Sequence, residues 1–315
     1  MFLVCGEALM DVFAVADTAT GMTLDARVGG SPFNVAVGLA RLGQPVSFFS
    51  SLSRGFIGER LLHSLAEEGV DTAAVEHVDA PTTLGLVGLD GRGVPSYSFY
   101  GEGGADRLLS MASLQRLPAS LAAIHVGSFA AVVEPVASTL RALVERQRST
   151  ALICYDPNVR LAVEPDRERW RDALAWMLPR AHVLKISDED LAVLRPGTGV
   201  EAFLDEALGH GVGLCVVTRS DAGARAATRS ARVEVDAAPV VVVDTVGAGD
   251  TFQAALLAWL GEGGRLSAAA VAELDEVALG EALRFAVAAA AITCSRRGAD
   301  LPRRAELGPG PPPRR

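Results

Sequence analysis

From residue 120 onward, short apolar runs alternate with amphipathic ones, and this alternation restricts the fold more than any other feature of the chain. Strands are expected at 123–126, 152–155, 182–186 and 214–218, helices at 135–147, 166–177, 200–208, 248–260 and 277–294, and a hairpin at 224–235. Strands separated by helices pair in parallel, and helices on both faces make an α/β, doubly wound, mostly parallel sheet. Ligands then bind beyond the carboxyl ends of the strands, so the loops at 156–160, 187–190 and 218–223 share one working edge. The first hundred residues read differently, with strands at 2–5, 12–16, 23–28, 46–51, 84–89 and 96–100 but helices only at 33–42 and 57–68. The additional strands, at about 12–28 and 74–100, predict a small β-sheet lid over that edge. One domain over 1–301 is expected, followed by a Pro-rich, disordered tail at 302–315.

Composition narrows the function class. Half of the 315 residues are apolar and only 5% are aromatic, so Ala, Val and Leu must fill the core. A net charge of -9 argues against a nucleic-acid or anionic-membrane partner, since either requires an electropositive face. The most apolar helical stretch, 286–293, is too short to span a bilayer, and no basic-then-apolar leader opens the sequence. Cys5, Cys154, Cys215 and Cys294 are scattered, which suggests buried free thiols in a reducing cytoplasm. His63, His77, His182 and His210 have no second His at metal-ligand spacing, and His125 reads as a local hydrogen-bonding residue. Lys185 is the only lysine, no glycine precedes it closely, and it reads as a solvated or strand-end residue. A phosphate loop of the G-x-x-x-x-G-K-[ST] kind is therefore excluded.

Two strings carry chemistry. The first runs from Asp244 through Thr245, Val246, Gly247, Ala248, Gly249 and Asp250 into an apolar helix. Small residues opening a helix leave backbone N–H groups and the positive end of the helix dipole at one point, an anion hole. A carboxylate there, Asp250, is repelled by a bound phosphate unless it removes a proton or binds metal. An ordinary helix N-cap is the alternative reading of the same string. The second string runs from Gly29, Gly30, Ser31, Pro32, Phe33 and Asn34 to Gly43. Its glycines permit close backbone approach, Pro32 suits a first helical turn, and Asn34 can offer an amide to a ligand; an ordinary strand-to-helix turn is the alternative.

Together and in this order, the two strings resemble the signature regions of the ribokinase-like, or pfkB, carbohydrate kinases. The resemblance extends from Gly6-Glu7-Ala8-Leu9-Met10-Asp11 to Gly298-Ala299. It implies Asp250 as catalytic base, Gly247, Ala248 and Gly249 as anion hole, and Asp11, Gly29, Gly30 and Asn34 as sugar-binding positions. Asp156-Pro157-Asn158-Val159-Arg160 is similar to a stretch of fructokinases and 2-keto-3-deoxygluconate kinases, which implies Asn158 near ATP and Arg160 near sugar and transferring phosphate. Ser187 and Asp190 occupy the place of an Asn-x-x-Glu motif that organises Mg²⁺ and its waters, with both residues changed. Thr218, Ser220 and Gly223 match a nucleotide loop whose middle glycine is here Ser220. Asp244 and Thr245 are candidates for a K⁺ site.

The resemblance implies ATP-dependent phosphorylation of a sugar, with ATP and Mg²⁺ required, K⁺ a candidate activator, and a homodimer through the lid as the candidate assembly. Tyr97-Ser98-Phe99-Tyr100 before Ala105-Asp106 is most similar to fructokinases and implies Tyr100 at the sugar, although many of them have Arg where this chain has Gly101-Glu102. Fructose is the expected substrate, 2-keto-3-deoxygluconate the alternative, then ribose and nucleosides, and a non-catalytic binding protein is the reading from another class. Glu102 is expected beside Asp11 near the sugar.

Overall fold

The computed structural model describes residues 1–89, 95–308 and 310–311. Its large sheet begins at β1 (Phe2–Cys5), which lies between β4 (Val46–Phe49) and β9 (Ala123–Gly127). Beyond β9 come β10 (Leu152–Asp156), β11 (Val183–Ser187) and β12 (Leu214–Thr218), all parallel. The hairpin β13 (Ala224–Ala227) and β14 (Arg232–Val235) finishes the edge antiparallel. Parallel strands buried on both faces need continuous apolar sequence rather than alternation, as in Phe2–Cys5 and Leu214–Thr218.

One face is covered by α1 (Ser31–Arg41), α2 (Phe56–Glu67), α7 (Ala248–Glu262), α8 (Ala268–Ala272) and α9 (Glu276–Cys294). The other is covered by α3 (Val136–Gln147), α4 (Arg167–Met177), α5 (Asp188–Leu194) and α6 (Val200–Gly209). Where α1 crosses α7, Gly38 permits close approach: a methyl there would lie 2.6 Å from Ala254 Cβ and from Leu301 Cδ2. This contact brings the first turns of the two helices together. Helix α9 has the length and hydropathy to cross a membrane, but half of it is buried within the fold, where it packs along α7.

The lid is a four-stranded sheet in the order β3 (Gly21–Gly29), β2 (Leu9–Thr18), β7 (Leu84–Leu89), β8 (Pro95–Tyr100). Two expectations are corrected here. The strand expected at 46–51 is interrupted at Ser50, and its second part, β5 (Ser51–Ser53), pairs with β6 (Glu76–Val78), so 74–78 do not join the lid. The loop expected at 187–190 is already the start of α5, because Ser187 caps it by accepting from Asp190 N. The chain also stays attached past residue 301, through Arg304 to Glu262 at 2.6 Å and through Arg296 to Glu306. Of the Pro-rich end, Pro309 and residues 312–315 lie outside the described residues.

Candidate active site

The site is assembled where α7 begins. Gly247 turns left-handed (φ 79°), and a Cβ there would come 2.6 Å from Ala299, so both conformation and space demand glycine. Asp244 fastens this turn, accepting Val246 N at 3.0 Å and Gly298 N at 2.8 Å. Of the three residues expected to form the anion hole, Ala248 donates its N–H to Thr245 O. Gly249 and Asp250, in the first turn of α7, have amides that lack intrahelical acceptors. The carboxylate of Asp244, a K⁺ candidate, thus accepts two backbone N–H groups, one on each oxygen, and Thr245 is exposed.

Asp250 follows those amides and is only 8% exposed. Its Oδ1 accepts from Ser31 Oγ at 2.6 Å and its Oδ2 from Asn34 Nδ2 at 2.8 Å. Asn34, expected to face the sugar, thus spends one amide N–H on orienting the Asp250 carboxylate. Ser31 carried no role in the sequence reading; its signal was the position directly before Pro32, at the start of α1. Gly30 sits at φ 106°, where a side chain would press on Glu7 O at 2.8 Å, and this bend aims α1 at Asp250.

Asp11 comes from the lid. It pairs across the sheet with Arg27 on β3 and Gly85 on β7, and Gly85 pairs with Phe99 on β8. A methyl on Gly29 would collide with Asp11 Oδ2, and one on Gly85 would lie 2.9 Å from Oδ1, so both glycines make room for the carboxylate. Burial pushes the Asp11 carboxyl up to about 6; the Arg160 guanidinium opposes this and the negative Asp250 adds to it. Asp11, Arg160 and Asp250 therefore share one electrostatic neighbourhood. Tyr100 is corrected: it is 63% exposed, one residue out of phase with Phe99, which lies against Gly85. Glu102 is also exposed, in the turn after β8. Two further acids, Glu7 and Asp106, are buried, and burial pushes Glu7 up to about 8 and Asp106 upward.

The loops assigned to nucleotide lie at the carboxyl ends of β10, β11 and β12. Ser220 takes the left-handed backbone of the glycine it replaces (φ 46°), as Asn158 does at φ 41°. Gly223 is held against Val235 O without room for a side chain. Thr218 Oγ1 reaches Ile186 O at 3.5 Å, and Arg160 is solvent-exposed. Asp190 accepts Val159 N at 3.2 Å, and burial with the nearby Asp156 charge pushes it up to about 6. Among the described residues no group of three metal-ligating side chains occurs, so Asp190 would meet a metal only together with other oxygens.

Lys185 corrects the sequence reading outright. It is 4% exposed and forms an ion pair with Asp156 at 2.8 Å, on the sheet face beneath α7. A Cβ on Gly249 would lie 3.3 Å from its Nζ. His125 matches the local role expected of it: it is buried beside Gln253 at 3.4 Å, and burial lowers it to about 4.

Comparison with known proteins gives the family and the fold. The pfkB family of carbohydrate kinases matches residues 1–305. A fructokinase of Rhizobium leguminosarum bv. trifolii is 36% identical over 279 residues, covering 89% of this chain and 85% of the relative. The crystal structure of Xylella fastidiosa fructokinase with bound ATP superposes with a TM-score of 0.86 at 29% identity, covering 97% of this chain and 96% of that one. Vibrio cholerae O395 fructokinase, in a form binding fructose, ADP and calcium, superposes at 0.79 with 27% identity, covering 95% and 94%. With the buried Asp250 carboxylate, an open helix terminus and a lid acid in one neighbourhood, and with the family matched over nearly the whole chain, the chain belongs to the pfkB carbohydrate kinases.

Proposed function

We propose that the protein transfers the γ-phosphoryl group of Mg-ATP to the 6-hydroxyl of D-fructose, with Asp250 as general base. The observation that carries this reading is the Asp250 carboxylate, held by Ser31 and Asn34 beside the open first-turn amides of α7. Phosphoryl transfer needs in-line positioning and neutralisation of spreading charge more than covalent help. In this geometry Asp250 takes the proton of the attacking hydroxyl while the Gly249 and Asp250 amides receive the charge that develops on the phosphoryl oxygens. Arg160 adds a guanidinium that can hold two phosphate oxygens at once. Asp11, on the lid, accepts from sugar hydroxyls and ties their binding to lid closure, which excludes water as a competing acceptor.

Magnesium enters with the nucleotide, since it binds through substrate phosphates, waters and one or two carboxylates, and Asp190 is the candidate carboxylate. A cytoplasmic enzyme pairing through its lids completes the reading. Fructose comes before 2-keto-3-deoxygluconate because Asp11 opposes a sugar acid and because the relatives compared above are fructokinases. Coupled ADP release over a panel of sugars tests it: fructose is expected to give the highest kcat/KM, with turnover abolished by excess chelator. Turnover with no sugar, or full activity without divalent cation, would overturn it.

A further inference from the structure

We infer that Arg107, which belongs to no catalytic motif of the chain, is a sugar-binding residue that sets specificity at the end of the substrate away from Asp250. The inference rests on the sugar-kinase reading above.

Arg107 ends a short 3-10 turn, Ala105–Arg107, between lid and body. Its guanidinium lies 5.6 Å from the Phe129 ring, on the segment that follows β9 at the working edge. On the other side, its Nη2 lies 2.9 Å from where a Cβ of Gly101 would be. Gly101 is two residues beyond Phe99, and Thr83 two before Gly85, so both continue the lid face that carries Asp11. Arg107 therefore spans the cleft from the body to the inner face of the lid.

The polar atoms around it are incompletely used. Arg107 Nε is buried with no hydrogen-bond partner, and Oδ2 of the adjacent Asp106 is buried in the same condition. A Thr83 hydroxyl donating to Asp106 Oδ1 fixes the neighbouring carboxylate in place. Buried polar groups are nearly always paired, so an orphaned donor on Arg107 and an orphaned acceptor on the adjacent Asp106 mark a place where a ligand supplies the missing partners. A fork of N–H donors beside carboxylate oxygens matches adjacent hydroxyls of a polyol, each of which can both donate and accept. Gly101 leaves this room to the guanidinium: Thr83 and Arg107 together fill the space its side chain would need.

The test compares wild type with Arg107→Met, which keeps the packing over Phe129, and Arg107→Lys, which keeps the charge. Fructose, 1-deoxyfructose, 3-deoxyfructose and 2,5-anhydromannitol are assayed by ADP release, with fructose binding followed by calorimetry. For Arg107→Met, the KM and Kd for fructose should rise at least tenfold, with kcat and the KM for ATP within threefold of wild type. Arg107→Lys should fall between the two. At least one deoxy analogue, weakened in wild type, should lose at least fivefold less in Arg107→Met, because the contact it lacks is already gone. Equal fructose affinity in wild type and Arg107→Met, or the same loss for every analogue in both, would overturn the inference while leaving the kinase reading intact. A wild type that neither binds nor phosphorylates fructose would overturn both.

Discussion

Asp250 shows how much of a residue's role lies in its neighbours. Ser31 and Asn34 each donate to one carboxylate oxygen, so the side chain is fixed before substrate arrives. Asp250→Asn preserves shape but removes the base, and kcat should fall by at least ~10² with ATP and sugar affinity within about tenfold of wild type; steady-state kinetics and calorimetry check both parts. Glu7 poses the opposite case, a buried acid that folding holds in its neutral form. Its carboxyl is pushed up from an ordinary 4.5 to about 8 by burial, so as pH rises across that window the unfolded chain loses this proton first. Stability contributed by the neutral group is full below the lower value and lost as pH passes the upper one. Glu7→Gln keeps the neutral shape at every pH. It should match wild type near pH 4.5 and exceed it at pH 8 by at least ~1 kcal/mol, or roughly 2 °C in Tm by differential scanning calorimetry.

At the scale of elements, the first turn of α7 rests on charged ground. Lys185 on β11 and Asp156 on β10 form a buried pair directly beneath Gly249. A cation at the positive end of a helix has the wrong sign for stability, and Asp156 is the group that balances it. Removing one member leaves the other uncompensated, so Lys185→Met should destabilise the protein by about 3–5 kcal/mol in denaturant titration. Lys185→Met combined with Asp156→Leu should recover most of that loss, since neither charge then remains. Recovery by the pair distinguishes this electrostatic role from simple loss of packing at Lys185.

The whole molecule couples the lid to the doubly wound body across the cleft, and its selectivity belongs to that scale. Asp11 reaches the site only because β2 carries it over the working edge, and there burial pushes it up to about 6. Above that pH it is ionised and opposes a carboxylate-bearing substrate under a closed lid, where charges are poorly screened. Fructose should therefore exceed 2-keto-3-deoxygluconate in kcat/KM by at least about tenfold at pH 8, a ratio that needs only ~1.4 kcal/mol. Below pH 6 Asp11 is protonated and the repulsion fades, so the ratio should narrow at pH 5. Initial rates for both sugars at the two pH values decide this, and a constant ratio would remove Asp11 from selectivity.

The sequence by itself determined the layered α/β fold, the lid from strands β2, β3, β7 and β8, and the two helix starts that meet at the site. Each of these is written in local periodicity or in glycines whose backbone no other residue adopts easily, and local rules read such signals directly. Only the tertiary structure decided what each polar side chain does once there. Asn34 and Asp11 both looked like sugar ligands, yet α1 packs so that Asn34 serves Asp250. Tyr100 and Phe99 are neighbours in sequence, and the pairing of β8 with β7 turns Phe99 rather than Tyr100 toward Gly85. Lys185 looked like a solvated residue because nothing near it in sequence is acidic enough to pair with it at strand spacing. Its partner, Asp156, lies 29 residues earlier and is brought beside it only by the sheet. Burial and partnership across such separations are set by how layers pack, and no local pattern records them.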